Sequence, residues 1–440
     1  MGRAALFRIT FAIFHLPFSI ISFMQQPNRD RKTLLIFSQT FVPDPASVGQ
    51  HMADVAVEMA RRGHRVLVFA ANRSYEDASI HYPARENLHG VEVRRLPLSS
   101  FGKKSLLTRI IGTFSFMAQC LFLGLFKPNV DAIFFSTSPP MIGLAAAIVR
   151  IFRGIPISYW AMDLNPDQLI ALGRLKKTGL LARLLESANK FILRNCSLVV
   201  ALDRFMADRL LARARLADKL IVLPPWPHEE HIENIDPSQN PFRQRHDLNG
   251  KFVVMYSGNH SPSNPLATLL EASLAFKDDA DIRFLFVGGG LLKKQIEQFI
   301  QEHSLKHVIS LPYQPLADLK YSLSAADAHV VSLGNDMIGI IHPCKIYGAM
   351  AVGRPILYLG PRPSHVSDIL DQHQIGWHVA HGDIQSAVQA IRDMRGINLA
   401  QLADMGQTAR AVLEMKLSQS LLCGRFCDAL EMTFTEGASR

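Results

Sequence analysis

Short apolar runs separated by amphipathic stretches recur along the chain from Leu34 onward. Leu34–Ser38, Arg65–Ala70, Val91–Leu96, Asp131–Ser136, Ile155–Ala161, Leu198–Leu202 and Leu220–Leu223 each have strand length, with helical spacing between most of them. Gly49–Gly63 carries a helical pattern that stops at a glycine, and Lys103–Phe126 predicts a long helix. Pro224, Pro225 and Pro227 then break the alternation, and the polar stretch Glu229–Asn249 reads as a linker. A second alternation begins at Phe252–Tyr256. It continues through Arg283–Val287, His307–Leu311, Ala328–Leu333 and Pro355–Leu359 to a last short run at Gly376–Val379. Leu399–Phe434 reads as helices. The pattern therefore predicts an α/β protein with two doubly wound, Rossmann-like parallel sheets. The expected segments are 33–225, a linker at 226–250, a second domain at 251–395 and closing helices at 396–440. Ligands of such folds collect at the carboxyl ends of strands, in a cleft between the two domains.

Length agrees, since 440 residues are too many for one ordinary core. The 48% hydrophobic share and 19% charged share exclude disordered, collagen-like and low-complexity classes. Five cysteines without a ladder of spacings fit a reducing compartment. Cys423 and Cys427 share a helix face but lack further ligands for a metal. The net charge of +9 is uneven: residues 1–225 hold 29 basic and 15 acidic side chains, and residues 226–440 hold 18 and 23. A basic front half and an acidic back half predict two domains that face different partners.

The apolar stretch Ala4–Met24 is long enough to span a bilayer. Arg8, His15, Ser19 and Ser22 nevertheless form a polar stripe and Pro17 interrupts it, as in a helix lying in the interface. An interfacial anchor, a spanning helix and a translation start at Met24 all remain open. Further on, Lys103, Lys104 and Arg109 open an amphipathic helix with Leu107, Ile110, Ile111, Phe114, Met117 and Leu121 on its apolar side. Either it binds an anionic membrane surface, or it is a helix of the sheet with a solvated basic edge. Nucleic acid is not expected, because the back half is acidic and no recognition motif is present.

Several glycine turns follow strands directly. Gly258 follows one, and Gly288, Gly289 and Gly290 follow another, where free amides can meet an anion. No Gly-x-Gly-x-x-Gly opens the first unit and no Walker loop occurs, which disfavours dinucleotide and P-loop roles. Pro343 suits a first helical position, leaving the amides of Cys344, Lys345 and Ile346 unpaired. A lysine at a helix start opposes the helix dipole unless a polyanion sits there, so Lys345 is either a ligand for phosphate or a solvated surface group. Gly49 falls in a predicted loop where backbone can approach the opposite domain. His51, two residues on, has a cleft role and a core or capping role equally open.

These segments together resemble the retaining glycosyltransferases of family 4, with GT-B architecture. The likeness covers most of the chain from Leu34 to about Ile391. It rests on VEMARRGHRVLVF, FSTSPPMIGLAAA, DLNPDQLIALG, VVMYSGNHSPSNPLATLLEA, FLFVGGG, LSAADAHVVSL, HPCKIYGAMAVGRPIL and HVAHGD. It is nearest to the branch that builds O-antigen and exopolysaccharide units on a polyprenyl carrier. The resemblance implies a nucleotide-sugar donor in the second domain and a lipid-linked saccharide acceptor at the first, at the cytoplasmic face of the inner membrane. It further implies sugar transfer with retention and places Asn259, His342, Cys344, Lys345 and Ile346 with the donor.

The chain departs from the family pattern at four places. The family's two glutamates fall at Ile340 and Gly348, and its diphosphate-binding Arg and Lys fall at Asn259 and Asn264. A family histidine gives way to Met162 beside Asp163. Lys345 is then the remaining cation for the leaving group. Asp163 is a candidate for orienting hydroxyls or, alternatively, an N-cap before Asn165–Pro166. No Asp-x-Asp clamp is expected, so no metal and no cofactor are expected. A nucleotide-sugar 2-epimerase and an inactive partner subunit of the same architecture are the competing readings.

Overall fold

The computed structural model describes residues 31–44, 46–74, 79–101, 106–228 and 232–436. The candidate N-terminal anchor, Lys103 and Lys104 lie outside these residues. Lys32–Arg440 forms one compact unit.

Its first sheet holds β1 (Thr33–Phe37), β2 (Arg65–Ala71), β3 (Arg85–Leu88), β4 (Val91–Leu96), β5 (Ala132–Phe135), β6 (Ile157–Ala161), β7 (Leu198–Ala201) and β8 (Leu220–Val222). They lie in the order β3-β4-β2-β1-β5-β6-β7-β8. Seven strands run parallel, and the sequences TLLIF, AIFF and LVVA are almost wholly buried, as expected of strands covered on both faces. The antiparallel edge strand β3 was not expected. Its sequence RENL is mostly polar and half exposed, so it carries none of the apolar signal of its neighbours.

The covering helices are α1 (Ser47–Arg61), α2 (Leu106–Phe126), α3 (Gly143–Arg153), the short α4 (Asp167–Ala171), α5 (Leu180–Asn195) and α6 (Arg204–Leu211). After them α7 (Pro241–Arg245) leads into the second sheet. That sheet holds β9 (Phe252–Ser257), β10 (Ile282–Val287), β11 (Val308–Leu311), β12 (Ala328–Ser332), β13 (Ile356–Leu359) and β14 (Gly376–Val379), in the order β11-β10-β9-β12-β13-β14 and all parallel. Its helices are α8 (Ala267–Ser273), α9 (Lys293–Glu302), α10 (Leu319–Ser324), α11 (Lys345–Ala351), α12 (His365–His373) and α13 (Ile384–Gly396).

The tail forms α14 (Leu399–Lys416) and α15 (Gln419–Glu436), and α15 returns to the first domain. The Phe426 ring lies 4.4 Å from Trp160, tilted 43° to it, and Arg62 donates to Asp428 and to Gly424 O. In both sheets the strand order reverses beside a central strand, β1 in the first and β9 in the second. The crevices at the carboxyl ends of those strands are where ligands of such sheets sit.

Candidate active site

The crevice of the second sheet is built from two glycine loops that touch through their backbones. β9 exits into Gly258 at φ +134°, and β10 exits into Gly288 at +139° and Gly290 at +131°. A Cβ on Gly288 would collide with Gly258 O, and one on Gly290 with Asn259 Oδ1. The loops are laced by His260 N donating to Gly289 O at 2.7 Å and Leu292 N donating to His260 O at 3.0 Å. Lys293 Nζ secures the second loop, donating to Gly288 O and Leu311 O.

Into this corner comes Lys345, the first residue of α11. Its aliphatic end lies where a side chain on Gly258 would stand, and its Nζ is 5.5 Å from the centre of the Tyr256 ring. No hydrogen bond or ion pair engages this ammonium among the described residues, and burial pushes its pKa down. A sheltered cation without a counter-charge is a site for an anion. His260 stands beside it, buried, with both ring nitrogens lacking a partner; burial and then the charges of Lys293 and Lys345 lower its pKa to about 4.

The helix start differs from expectation. Pro343 precedes the cap instead of opening α11, and Cys344 is the cap. The amide of Cys344 is taken up by His342 O at 3.0 Å and that of Ile346 by Pro343 O at 3.4 Å, so neither is free. Cys344 is exposed, whereas the side chain of Ile346 is fully buried. Asn259 is exposed at the crevice rim and Gly289 half exposed beside Tyr313. The family's glutamate positions offer no carboxylate: Ile340 and Gly348 are both buried.

His342 does not face this crevice. Its Nδ1 meets Asp203 Oδ2 across the domain boundary at 2.9 Å, and its Nε2 meets Tyr347 Oη at 2.7 Å, so both ring nitrogens are engaged within the protein. Tyr347 Oη also lies 3.2 Å from His365 Nε2. Asp203, His342 and His365 bring potential ligand atoms within 4.8 Å of one another, which makes them the described residues able to hold a metal ion. The three residues are far apart in sequence, so no local spacing marks them as a set. An Asp-x-Asp triplet occurs at Asp279–Asp281. It precedes β10, at the end of the strand away from the crevice, where Asp279 pairs with Arg395 and Asp281 with Lys251.

At the first sheet, the loop after β6 carries Asp163 into a small pocket lined by Ser136, Thr137, Tyr159, Asn165, Asn189 and Arg213. It does not cap a helix, because Pro166 holds the N-cap position of α4. Burial raises its pKa to about 6. Gly49 lies in the first turn of α1, not in a loop, and a Cβ there would press on Thr40 and Phe41 backbone at 3.1 Å. His51 belongs to the core, between Ser47 O at 2.8 Å and Trp226 O at 2.9 Å.

The predicted basic helix is α2. Leu107, Ile110, Ile111 and Phe114 face solvent together with Arg109, whereas Met117 and Leu121 pack against the core. Phe122 and Phe126 near its end are also exposed, as are Ile151 and Phe152 on α3 and Leu180, Leu181 and Leu184 on α5. α2 is long and apolar enough to cross a membrane by length and composition.

Comparison with known proteins now bears on this site. The family described as "Glycosyl transferase 4-like domain" matches residues 47–226, and that described as "Glycosyl transferases group 1" matches residues 238–412. The chain is a glycosyltransferase built from these two domains. It is 24% identical over 306 residues to WbjE of Pseudomonas aeruginosa, named as a glycosyltransferase, covering 70% of this chain and 76% of that one. It is 23% identical over 331 residues to WcaI of Escherichia coli K12, named as a colanic acid biosynthesis glycosyl transferase, covering 73% and 81%. These relatives place the chain among the glycosyltransferases of polysaccharide biosynthesis. Among solved structures it is similar to Anabaena HepE in complex with UDP and glucose, with TM-score 0.67, 17% identity and coverage of 91% and 100%. It is likewise similar to sucrose-phosphate synthase of Thermosynechococcus elongatus, with TM-score 0.71, 17% identity and coverage of 92% and 100%. These structural likenesses establish the GT-B fold.

Proposed function

We propose that this glycosyltransferase moves a sugar from a UDP-linked donor to a saccharide carried on polyprenyl diphosphate, with retention of anomeric configuration. The observation that carries this reading is Lys345, a sheltered cation without counter-charge lying across Gly258 at the reversal point of the second sheet. Sugar transfer from a nucleoside diphosphate needs the departing phosphate charge stabilised in a dry, preorganised place. Lys345 and the glycine-loop backbone supply that without a metal ion. HepE, the solved relative holding UDP and glucose, supports the choice of nucleotide.

On the acceptor side Asp163 orients the incoming hydroxyl or the sugar. The donor phosphate itself takes the acceptor's proton in a same-face displacement, so no second carboxylate is required.

The acceptor's lipid calls for a membrane. Residues 106–195 carry ten basic and four acidic side chains. The exposed apolar residues of α2, α3 and α5 lie among them. Such a face rests on an anionic bilayer, with the protein peripheral at the cytoplasmic face of the inner membrane. The full chain, incubated with inner membranes and a panel of labelled UDP- and GDP-sugars, tests the reading. Label passing from a UDP-sugar into the lipid phase supports it. Epimerised free nucleotide sugar, or no reaction with any donor, contradicts it.

A further inference from the structure

The segment Ile338–His342 belongs to the donor-side domain, yet several of its polar contacts run to the acceptor-side domain. Ile338 O accepts from Arg209 Nε at 2.7 Å, and Ile340 O accepts from Leu164 N at 2.9 Å. Gly339, at φ +67°, packs so closely on Phe205 O that a side chain there would collide with it. His342 meets Asp203, and these two side chains are only 1% and 4% exposed. Arg204, the next residue, forks onto Asp368 of α12 at 2.7 and 3.0 Å. Three residues after His342 comes Lys345, and the turn between them is closed by Cys344 N donating to His342 O.

One assignment of protons satisfies the whole chain of contacts. His365 Nε2–H donates to Tyr347 Oη, Tyr347 O–H donates to His342 Nε2, and His342 Nδ1–H donates to Asp203 Oδ2. The imidazole of His342 is thereby held from both ends, and its tautomer is set by the carboxylate of the other domain.

We propose that Asp203, acting through His342, is a positioning residue for Lys345. The acceptor-side domain thereby sets the cation that meets the donor's departing phosphate, and the leaving-group site is complete only while the two domains are docked. This rests on the reading of Lys345 as the donor cation. Transfer chemistry is sensitive to such placement, since a shift of about 1 Å in a reacting group can cost about a hundredfold in rate.

Asp203 separates this role from a structural one. Its Oδ1 accepts from Met206 N as the N-cap of α6, while Oδ2 serves His342. Asp203→Asn retains a cap and removes the charge that fixes His342. The test is a mutant cycle on the full chain, with Asp203→Asn, Lys345→Ala and the double variant. It measures turnover from the active UDP-sugar, UDP affinity by calorimetry, and melting temperature. Lys345→Ala is expected to lower turnover about a hundredfold and Asp203→Asn about tenfold. With melting temperatures unchanged, the double variant should be no slower than Lys345→Ala alone. If Asp203→Asn has no effect, or costs the same factor with Lys345 already removed, the positioning role is overturned while the donor reading stands. If Lys345→Ala itself leaves turnover and UDP affinity unchanged, the donor reading falls and the proposal with it.

Discussion

Lys345 and Gly258 occupy one another's space: the lysine's Cε sits where a Cβ on Gly258 would have to go. The pair explains why a glycine follows β9 and why the lysine's ammonium is held under a backbone loop instead of reaching into solvent. Gly258→Ala must either displace Lys345 or distort a turn that already needs φ +134°. Calorimetric titration with UDP should show affinity falling about tenfold or more in this variant, with the protein still folded by circular dichroism. Unchanged affinity would mean that the contact is only packing.

Asp163 gives a pH prediction with a definite sign. Its folded pKa, about 6, is raised by burial above the ordinary 3.8. Between these values the folded state binds more protons than the unfolded one, so this group's contribution to stability falls as pH rises through that window. Asp163→Asn should therefore raise the melting temperature at pH 7 and leave it nearly unchanged at pH 4. As an ionised group orienting a hydroxyl, it should also make transfer rise with pH toward a plateau above about 6 in the parent protein, with that limb missing from the variant.

The apolar face of α2 is open to direct measurement. Replacing Leu107, Ile111 and Phe114 by serine removes exposed area without touching Phe116 or Cys120, which face the core. Affinity for vesicles containing phosphatidylglycerol, read by co-sedimentation, should drop about a hundredfold or more, at roughly 1–2 kcal/mol for each of the three lost side chains. Binding to neutral vesicles should be weak in the parent, and its binding to the anionic vesicles should fall as salt is raised. Equal binding by parent and variant would place the membrane contact elsewhere, with the segment before Lys32 the next candidate.

Metal independence is tested at the Asp203, His342 and His365 set. Prolonged treatment with EDTA should leave transfer unchanged, because the hydrogen-bond chain through Tyr347 already satisfies these side chains. Activity lost to EDTA, restored by zinc, and insensitive to EDTA in His365→Ala would instead assign them a cation.

The sheets were legible because each central strand is a compact apolar run, and Val91–Leu96 and Gly376–Val379 agree with the sequence to the residue. β3 was not legible, because a polar edge strand has no buried face to leave a pattern. α1 starts before Gly49, since its first residues, Ser47 and Val48, resemble the loop that precedes them. Lys345 stood out from its place at a helix start, against the dipole. The resemblance placed His342 with the donor, but its partner Asp203 lies 139 residues away. An aspartate that opens a helix reads simply as a cap, and no local spacing reveals that its second oxygen crosses to the other domain. The return of α15 onto α1 and Trp160 was hidden for the same reason, being a pairing of distant surfaces.

The central claim is that Lys345 stabilises the departing diphosphate, and the most direct measurement is single-turnover transfer of labelled sugar from UDP into membrane lipid by Lys345→Ala. About a hundredfold loss or more is expected, with the melting temperature retained and partial recovery in Lys345→Arg. A variant that transfers at the parent rate would contradict the account.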